Sequence, residues 1–175
     1  MSAIVPYGVV YPKKYHSDRQ AAAEIAKQLG FKEDTFIEVT VQWGDQDPNA
    51  HLNNAIITRK LDAPTAQAIN QGSKGRGLVV GQVMNRFERP VYAPDHLLIA
   101  HRATQVAQKK IILSSVIVSF DQRAKVCSGK AIMVGFDYDH HKGAELPNGL
   151  YSLIEQEIDD AAKMIGGAQG LKAKL

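Results

Sequence analysis

The chain has 175 residues, 45% of them hydrophobic and 22% charged, enough to bury one core and too few for two ordinary domains. A formal charge of +3 and a pI near 8.9 suit a ligand with several phosphates, but without a basic stripe interleaved with aromatics they exclude a dedicated nucleic-acid binder. The single cysteine, Cys127, cannot form an internal disulfide, which points to a reducing compartment.

The first residues, MSAIVPYGVVYPKK, lack the sustained apolar core of a signal peptide. No apolar run reaches the roughly 18 residues of a membrane span, so a soluble protein is expected. Its expected location is the cytoplasm. The mitochondrion is the alternative, because the first acid is Asp18 while Lys13, Lys14 and Arg19 lie nearby.

In chain order, residues 17–29 read as a short helix: Ser17 and Gln20 have capping-box spacing, and Gly30 stands where a helix usually ends. From Phe36 the chain alternates, with Ile37, Val39, Val41 and Trp43 on one side and Glu38, Thr40 and Gln42 on the other, the period of a half-buried strand. Asp45 and Asp47 continue the apolar parity, and Pro48 should end the strand.

Next, Asn53 or Asn54 can cap a helix carrying Ile56, Ile57, Leu61 and Ile69, with a kink or break expected around Asp62 to Pro64. The glycine-rich loop 72–77 separates it from four strand candidates, residues 78–88, 97–106, 110–120 and 125–138, which read as an antiparallel meander. A last helix places Leu150, Leu153, Ile154, Ile158, Ala161 and Ile165 at helical spacing. One strand, a long helix and four strands give an α+β class, with the sheet wrapped on a helix.

The stretch Val41 to Asn54, VQWGDQDPNAHLNN, concentrates two carboxylates, a histidine and two asparagines at a strand end. Taken alone, such residues most often make Asx turns and helix caps. With the order of elements around it, the stretch resembles the hotdog fold, and specifically the 4-hydroxybenzoyl-CoA thioesterase-like acyl-CoA thioesterases. Trp43, Gly44, Asp45, Asp47, His51, Asn53 and Asn54 carry the first motif, Leu61 and Asp62 the apolar-acid pair of the helix, and Arg89, Pro90 and Asp95 a later turn. Three positions depart from the pattern: Ala50 replaces a glycine, Ile57 a tyrosine, and Pro64 interrupts the helix. The likeness runs from about Phe36 onward, so residues 1–35 are read as an N-terminal extension and 36–175 as the hotdog domain.

The resemblance implies hydrolysis of an acyl thioester, with coenzyme A as part of the substrate and no metal or redox cofactor. It carries the catalytic carboxylate onto Asp47, as nucleophile or as base for water, while backbone amides around Leu52 to Asn54 polarise the carbonyl. Asp45 braces the turn. His51, Asn53 and Asn54 orient water or substrate, or hold the loop. Asp62 is either a second carboxylate or a cap. Lys74 and Arg76 of the glycine-rich loop, or Lys109 and Lys110 at a strand start, are the candidates for the coenzyme A phosphates, against the ordinary role of solvated turn charges.

The stretch Asp137 to Gly143, DYDHHKG, reads as a turn and not a metal site, because neighbouring histidines diverge and no third ligand is spaced for a tetrahedral set. Cys127 reads as a small core residue. A lone antiparallel sheet leaves an edge and a face to cover, and relatives are homodimers or dimers of dimers, so a homo-oligomer is expected. Two alternatives stand beside hydrolysis: dehydration of a 3-hydroxyacyl thioester, and binding of acyl-CoA without turnover.

Overall fold

The computed structural model describes residues 13–60, 75–147 and 149–160. Helix α1 (Lys13–Gln28) leads to strand β1 (Ile37–Val41), and residues 54–60 form helix α2. Four long strands follow: β2 (Arg76–Phe87), β3 (Asp95–Ala107), β4 (Lys110–Ser119) and β5 (Ala124–Asp137). A two-residue strand β6 (Lys142–Gly143) precedes helix α3, residues 150–160.

All four strand candidates are present, but they are not a simple meander. The order across the sheet is β1-β3-β4-β5-β2, every pairing antiparallel. Thus β2 pairs with β5, not with its successor β3, and ends as an outer edge. β6 pairs β5 at Phe136 and Asp137, just beyond the point where β4 begins opposite Val134. Gly135 is needed there: a Cβ would collide with the Ala144 carbonyl as the chain crosses β5.

Period 2 gives the sheet two faces. On the inner face, Val41, Leu97, Ile99, Ile117 and Cys127 pack with Leu52 and Ile57 beneath α2. Further along the same face Leu78, Ala103, Ile111, Leu113 and Met133 pack with Leu146 and with Leu150, Ile154 and Ile158 of α3. Cys127 is therefore a core residue, and burial pushes its thiol up to about 11.

The outer face of β3 and β4 is covered by the N-terminal extension. Ala22, Ala23 and Ala26 of α1, with Phe31, pack on Leu98, Ala100, Val116, Val118 and Phe120. Small residues on the helix let it lie close to the strands. Buried Asp18 accepts both Nε and Nη2 of Arg123 at 2.9 and 2.7 Å, tying α1 to the β4–β5 turn. The helix begins a turn earlier than its apparent cap: Ser17 is inside it and donates to the Lys14 carbonyl. Its end is as expected. Gly30 takes φ 83°, its N–H reaches the Lys27 carbonyl and that of Phe31 the Ala26 carbonyl, a Schellman stop.

The first strand ends before Trp43. Gln42 and Asp45 form a reciprocal capping box around a 3-10 turn, Trp43–Asp45, which breaks the period-2 pattern and leaves Trp43 80% exposed. The expected kink near Pro64, and with it Leu61, Asp62 and Lys74, lies outside the described residues, as do residues beyond 160. None of the described helices is long and apolar enough to cross a membrane.

Candidate active site

Between the 3-10 turn and α2 the chain makes a tight loop. Asp47 N–H donates to the His51 carbonyl at 2.7 Å, and Ala50 N–H to the Asp47 carbonyl at 2.9 Å. The Asp47 side chain closes the loop from within, its Oδ1 accepting the amides of Asn49 at 2.8 Å and His51 at 3.2 Å. This geometry requires φ 60° at residue 50, where the chain carries alanine. A Cβ is held in the left-handed region at a cost of about 1 kcal/mol. Two further bonds pin the loop to its surroundings: Leu52 N–H to the Val91 carbonyl and Asn53 N–H to the Asp45 carbonyl.

Asp45 is the brace. It accepts the Gln42 amide and pairs with Lys60 of α2 at 3.1 Å. Desolvation pushes its carboxyl up, but the amide and the Lys60 ammonium outweigh it and hold it below the usual range. Lys60 also donates to the Thr40 carbonyl, so β1, the turn and α2 are fixed together.

Asn53 is the α2 cap: its Oδ1 accepts the Ala55 amide at 2.8 Å and its carbonyl the Ile57 amide. Of the amides expected to polarise a carbonyl, those of Leu52 and Asn53 are therefore already bonded. That of Asn54 has no partner among the described residues, and Asn54 lines the cleft.

That cleft, of about 250 Å³, is bounded by Asp47, His51, Asn54 and Ile57 on one side and by Phe87, Glu88 and Arg89 at the end of β2 on the other. The second Asp47 carboxylate oxygen carries none of the loop's bonds. The His51 ring stands edge-on to Tyr92, centroids 5.1 Å apart. Glu88 is bound by the Ser128 hydroxyl at 2.7 Å and Lys125 at 3.0 Å. Desolvation raises its pKa, but these two partners outweigh it and hold the group low. Phe87 and Glu88 were not singled out from sequence; their adjacency to Arg89 and Pro90 was the available signal. Asp95 is buried below this turn, accepting the Ser119 hydroxyl at 2.6 Å and the amides of His96 and Asp121.

Three predicted site residues, Arg76, Lys109 and Lys110, lie elsewhere in the chain. Arg76 begins β2 and Lys109 and Lys110 form the β3–β4 turn, at the end of the sheet opposite Asp47. A strand of 10 residues such as β4 puts them ~30 Å away. In the 137–143 stretch a turn over residues 138–141 joins β5 to β6: Asp137 accepts the amides of Asp139 and His140 and pairs with the His140 ring. Among the described residues no three metal-ligating side chains converge.

The inner face also holds a polar row that sequence reading passed over. His101 Nδ1 and Ser115 Oγ are 2.7 Å apart, and Asn85 Nδ2 donates to Thr58 Oγ1 of α2 at 2.9 Å. The signal was a histidine and a serine on the buried parity of two apolar strands, after Ile99 and before Ile117.

The family model of the Thioesterase-like superfamily matches residues 41–154, well over half of the chain. No curated protein matches it in sequence. In structure it is similar to a thioesterase-superfamily protein of Jannaschia sp. CCS1, at 16% identity over 78% of this chain and 92% of that one, TM-score 0.66. YbaW of Escherichia coli aligns at 22% identity over 71% and 98%, TM-score 0.61. DHNA-CoA thioesterase of Staphylococcus aureus aligns at 9% identity over 79% and 94%, TM-score 0.59. At such identities these likenesses establish the hotdog fold.

Proposed function

The chain belongs to the thioesterase-like superfamily and is a thioester hydrolase; from that premise we propose an acyl-CoA thioesterase in which Asp47 is the catalytic carboxylate. The observation that carries this reading is the state of Asp47: one oxygen fixed by two loop amides, the other left for chemistry at the wall of a cleft. A thioester carbonyl placed there has the free oxygen on one side and the Asn54 amide on the other. Attack by the carboxylate would expel the thiolate, a good leaving group, and give a mixed anhydride that water then cleaves to the free acid and the restored Asp47 carboxylate; attack by water, its proton taken by Asp47, reaches the same acid in one stage. Asn54 and His51 then orient water or carbonyl, and Asn53 acts through the helix start that it caps.

Coenzyme A is the proposed thiol. Arg89 is the cationic residue that lines the cleft together with Asp47. Arg76, Lys109 and Lys110, distant within one chain, reach the same cleft only through a second subunit. The outer edge of the 12-residue β2 has no strand partner among the described residues and carries exposed Val80, Met84 and Phe87, a surface suited to edge-to-edge pairing in a homodimer. The α1 cover on the outer face favours a dimer over back-to-back stacking of dimers.

The test is thiol release from a panel of CoA thioesters, set beside the same acyl groups on N-acetylcysteamine, with sedimentation of the enzyme alongside. Saturable release that favours the CoA esters in a dimer supports the proposal. Tight acyl-CoA binding without release would place the chain among non-catalytic binders.

A further inference from the structure

Cross-strand register places four residues side by side on the inner face: His101 opposite Ser115, Ser115 opposite Gly129, and Gly129 opposite Asn85. Two residues away on one side lie Ile99, Ile117 and Cys127 of the apolar cluster under α2; on the other lie Ala103 and Leu113 of the cluster under α3. The row is thus a polar seam between two apolar cores. Apart from buried Ser115 it is also less covered than either: Asn85, His101 and Gly129 are only partly buried, whereas Leu97, Ile99, Ile111 and Ile117 are fully buried.

Two atoms of the seam are enclosed yet unsatisfied. Asn85 Oδ1 and His101 Nε2 have no hydrogen-bond partner among the described residues. A buried polar atom left without a partner is costly, so these two atoms mark places that a polar group of a ligand would complete. Burial holds the His101 imidazole down at about 4, hence neutral, with one ring nitrogen a donor and the other an acceptor. Whichever tautomer the Ser115 hydroxyl selects, a group that both donates and accepts satisfies Nε2; Asn85 Oδ1, three strands away, takes a hydrogen from a separate donor. A hydroxyl is the smallest group that both donates and accepts.

The seam adjoins the cleft. Phe87 lines the Asp47 cleft, and Asn85 is the next residue on the same face of β2, ~7 Å along the strand. On α2, Ile57 lines the cleft while its neighbour Thr58 holds Asn85. A thioester with its carbonyl at Asp47 therefore has its acyl chain directed past Phe87 and Ile57 toward Asn85 and, three strands further across, His101. We propose that this seam is the distal part of the acyl site and that it selects acyl groups carrying a hydroxyl. Asn85 is the nearer specificity residue and His101 the farther. The proposal rests on the acyl-thioesterase reading.

The experiment uses straight-chain acyl-CoA esters and their counterparts hydroxylated at successive positions, with wild type, Asn85→Leu and His101→Phe. Both the kcat/KM of thiol release and the equilibrium affinity of each ester are measured. Wild type should favour a hydroxylated ester over its plain counterpart by about tenfold or more, because a site built to hydrogen-bond a hydroxyl penalises its absence. Asn85→Leu should invert the preference for hydroxyls nearer the thioester, and His101→Phe for those farther out. Asn85→Ala, which deletes the acceptor without adding bulk, serves if the leucine variant does not fold. Equal handling of plain and hydroxylated esters by wild type, or ratios that neither variant moves, would overturn the proposal while thiol release left the hydrolase reading standing. If no ester is turned over, that reading fails, and the affinity ratios still decide for or against the seam.

Discussion

His101 makes stability depend on pH in a way that can be isolated. Its pKa is about 4 in the folded protein and 6.5 when unconstrained, the difference arising from burial. Above pH 6.5 both folded and unfolded chains hold it neutral and it contributes no pH dependence. Below 6.5 the unfolded chain takes up a proton that the folded one refuses, so stability falls until the folded form is protonated near pH 4. At about 1.4 kcal/mol per pH unit the loss is about 1 kcal/mol at pH 5.5 and about 3 kcal/mol by pH 4. His101→Gln keeps a polar side chain beside Ser115 and removes the titration. Denaturant unfolding of both proteins from pH 7.5 to 4 should show the wild type losing this much more than the variant, while the carboxylates cancel between the two. Parallel stability curves would mean that the imidazole is not shielded as the packing indicates, and the sheltered seam would lose its physical basis.

Other outcomes follow from single contacts. Ala50→Gly removes a Cβ from φ 60°; the relief of about 1 kcal/mol is offset in part by the entropy of a glycine in the unfolded chain, so a small rise in melting temperature with activity retained is expected, and a fall would count against strain at this turn. Asn53→Ala should cost about 1 kcal/mol through loss of the α2 cap and lower turnover, whereas Asn53→Ser, which also caps, should restore both; serine failing to rescue turnover would give Asn53 a chemical role. Asp18→Ala frees Arg123 from α1 and removes the i,i+4 pairing of Lys14 within the helix. Because Arg123 is half-exposed the loss should be about 1 kcal/mol, accompanied by faster proteolysis in residues 13–30.

Much of the fold was legible because it depends on local alternation. Four long strands, the Gly30 stop and the polar cluster before α2 each have a short-range signal. The strand order does not: whether β2 meets β3 or β5 is settled by which edge is left after β3, β4 and β5 pair, information spread over the whole sheet. The early start of α1 was hidden because Asp18 and Tyr15, which look like solvent residues before a cap, are anchored by Arg123 and Glu38 more than twenty residues away. Trp43 was misplaced because an apolar residue in phase with a strand cannot signal that a capping box has already turned the chain. At the site, Asp47 was legible through family likeness, and the left-handed turn through Ala50 standing for glycine. The seam was harder. His101 and Ser115 are polar residues on the buried parity of apolar strands, outside every motif, and only register brings them into one row with Asn85.

The decisive measurement is thiol release by Asp47→Asn against wild type on the best acyl-CoA ester. Asparagine keeps an Oδ1 that accepts the Asn49 and His51 amides, so the loop and the unfolding midpoint should hold while only the reactive oxygen is replaced. Loss of kcat by about a hundredfold or more, with KM and oligomer size little changed, is the expected result. A variant that folds alike and releases thiol at near the wild-type rate would remove Asp47 from the chemistry and leave it as the clasp of a turn.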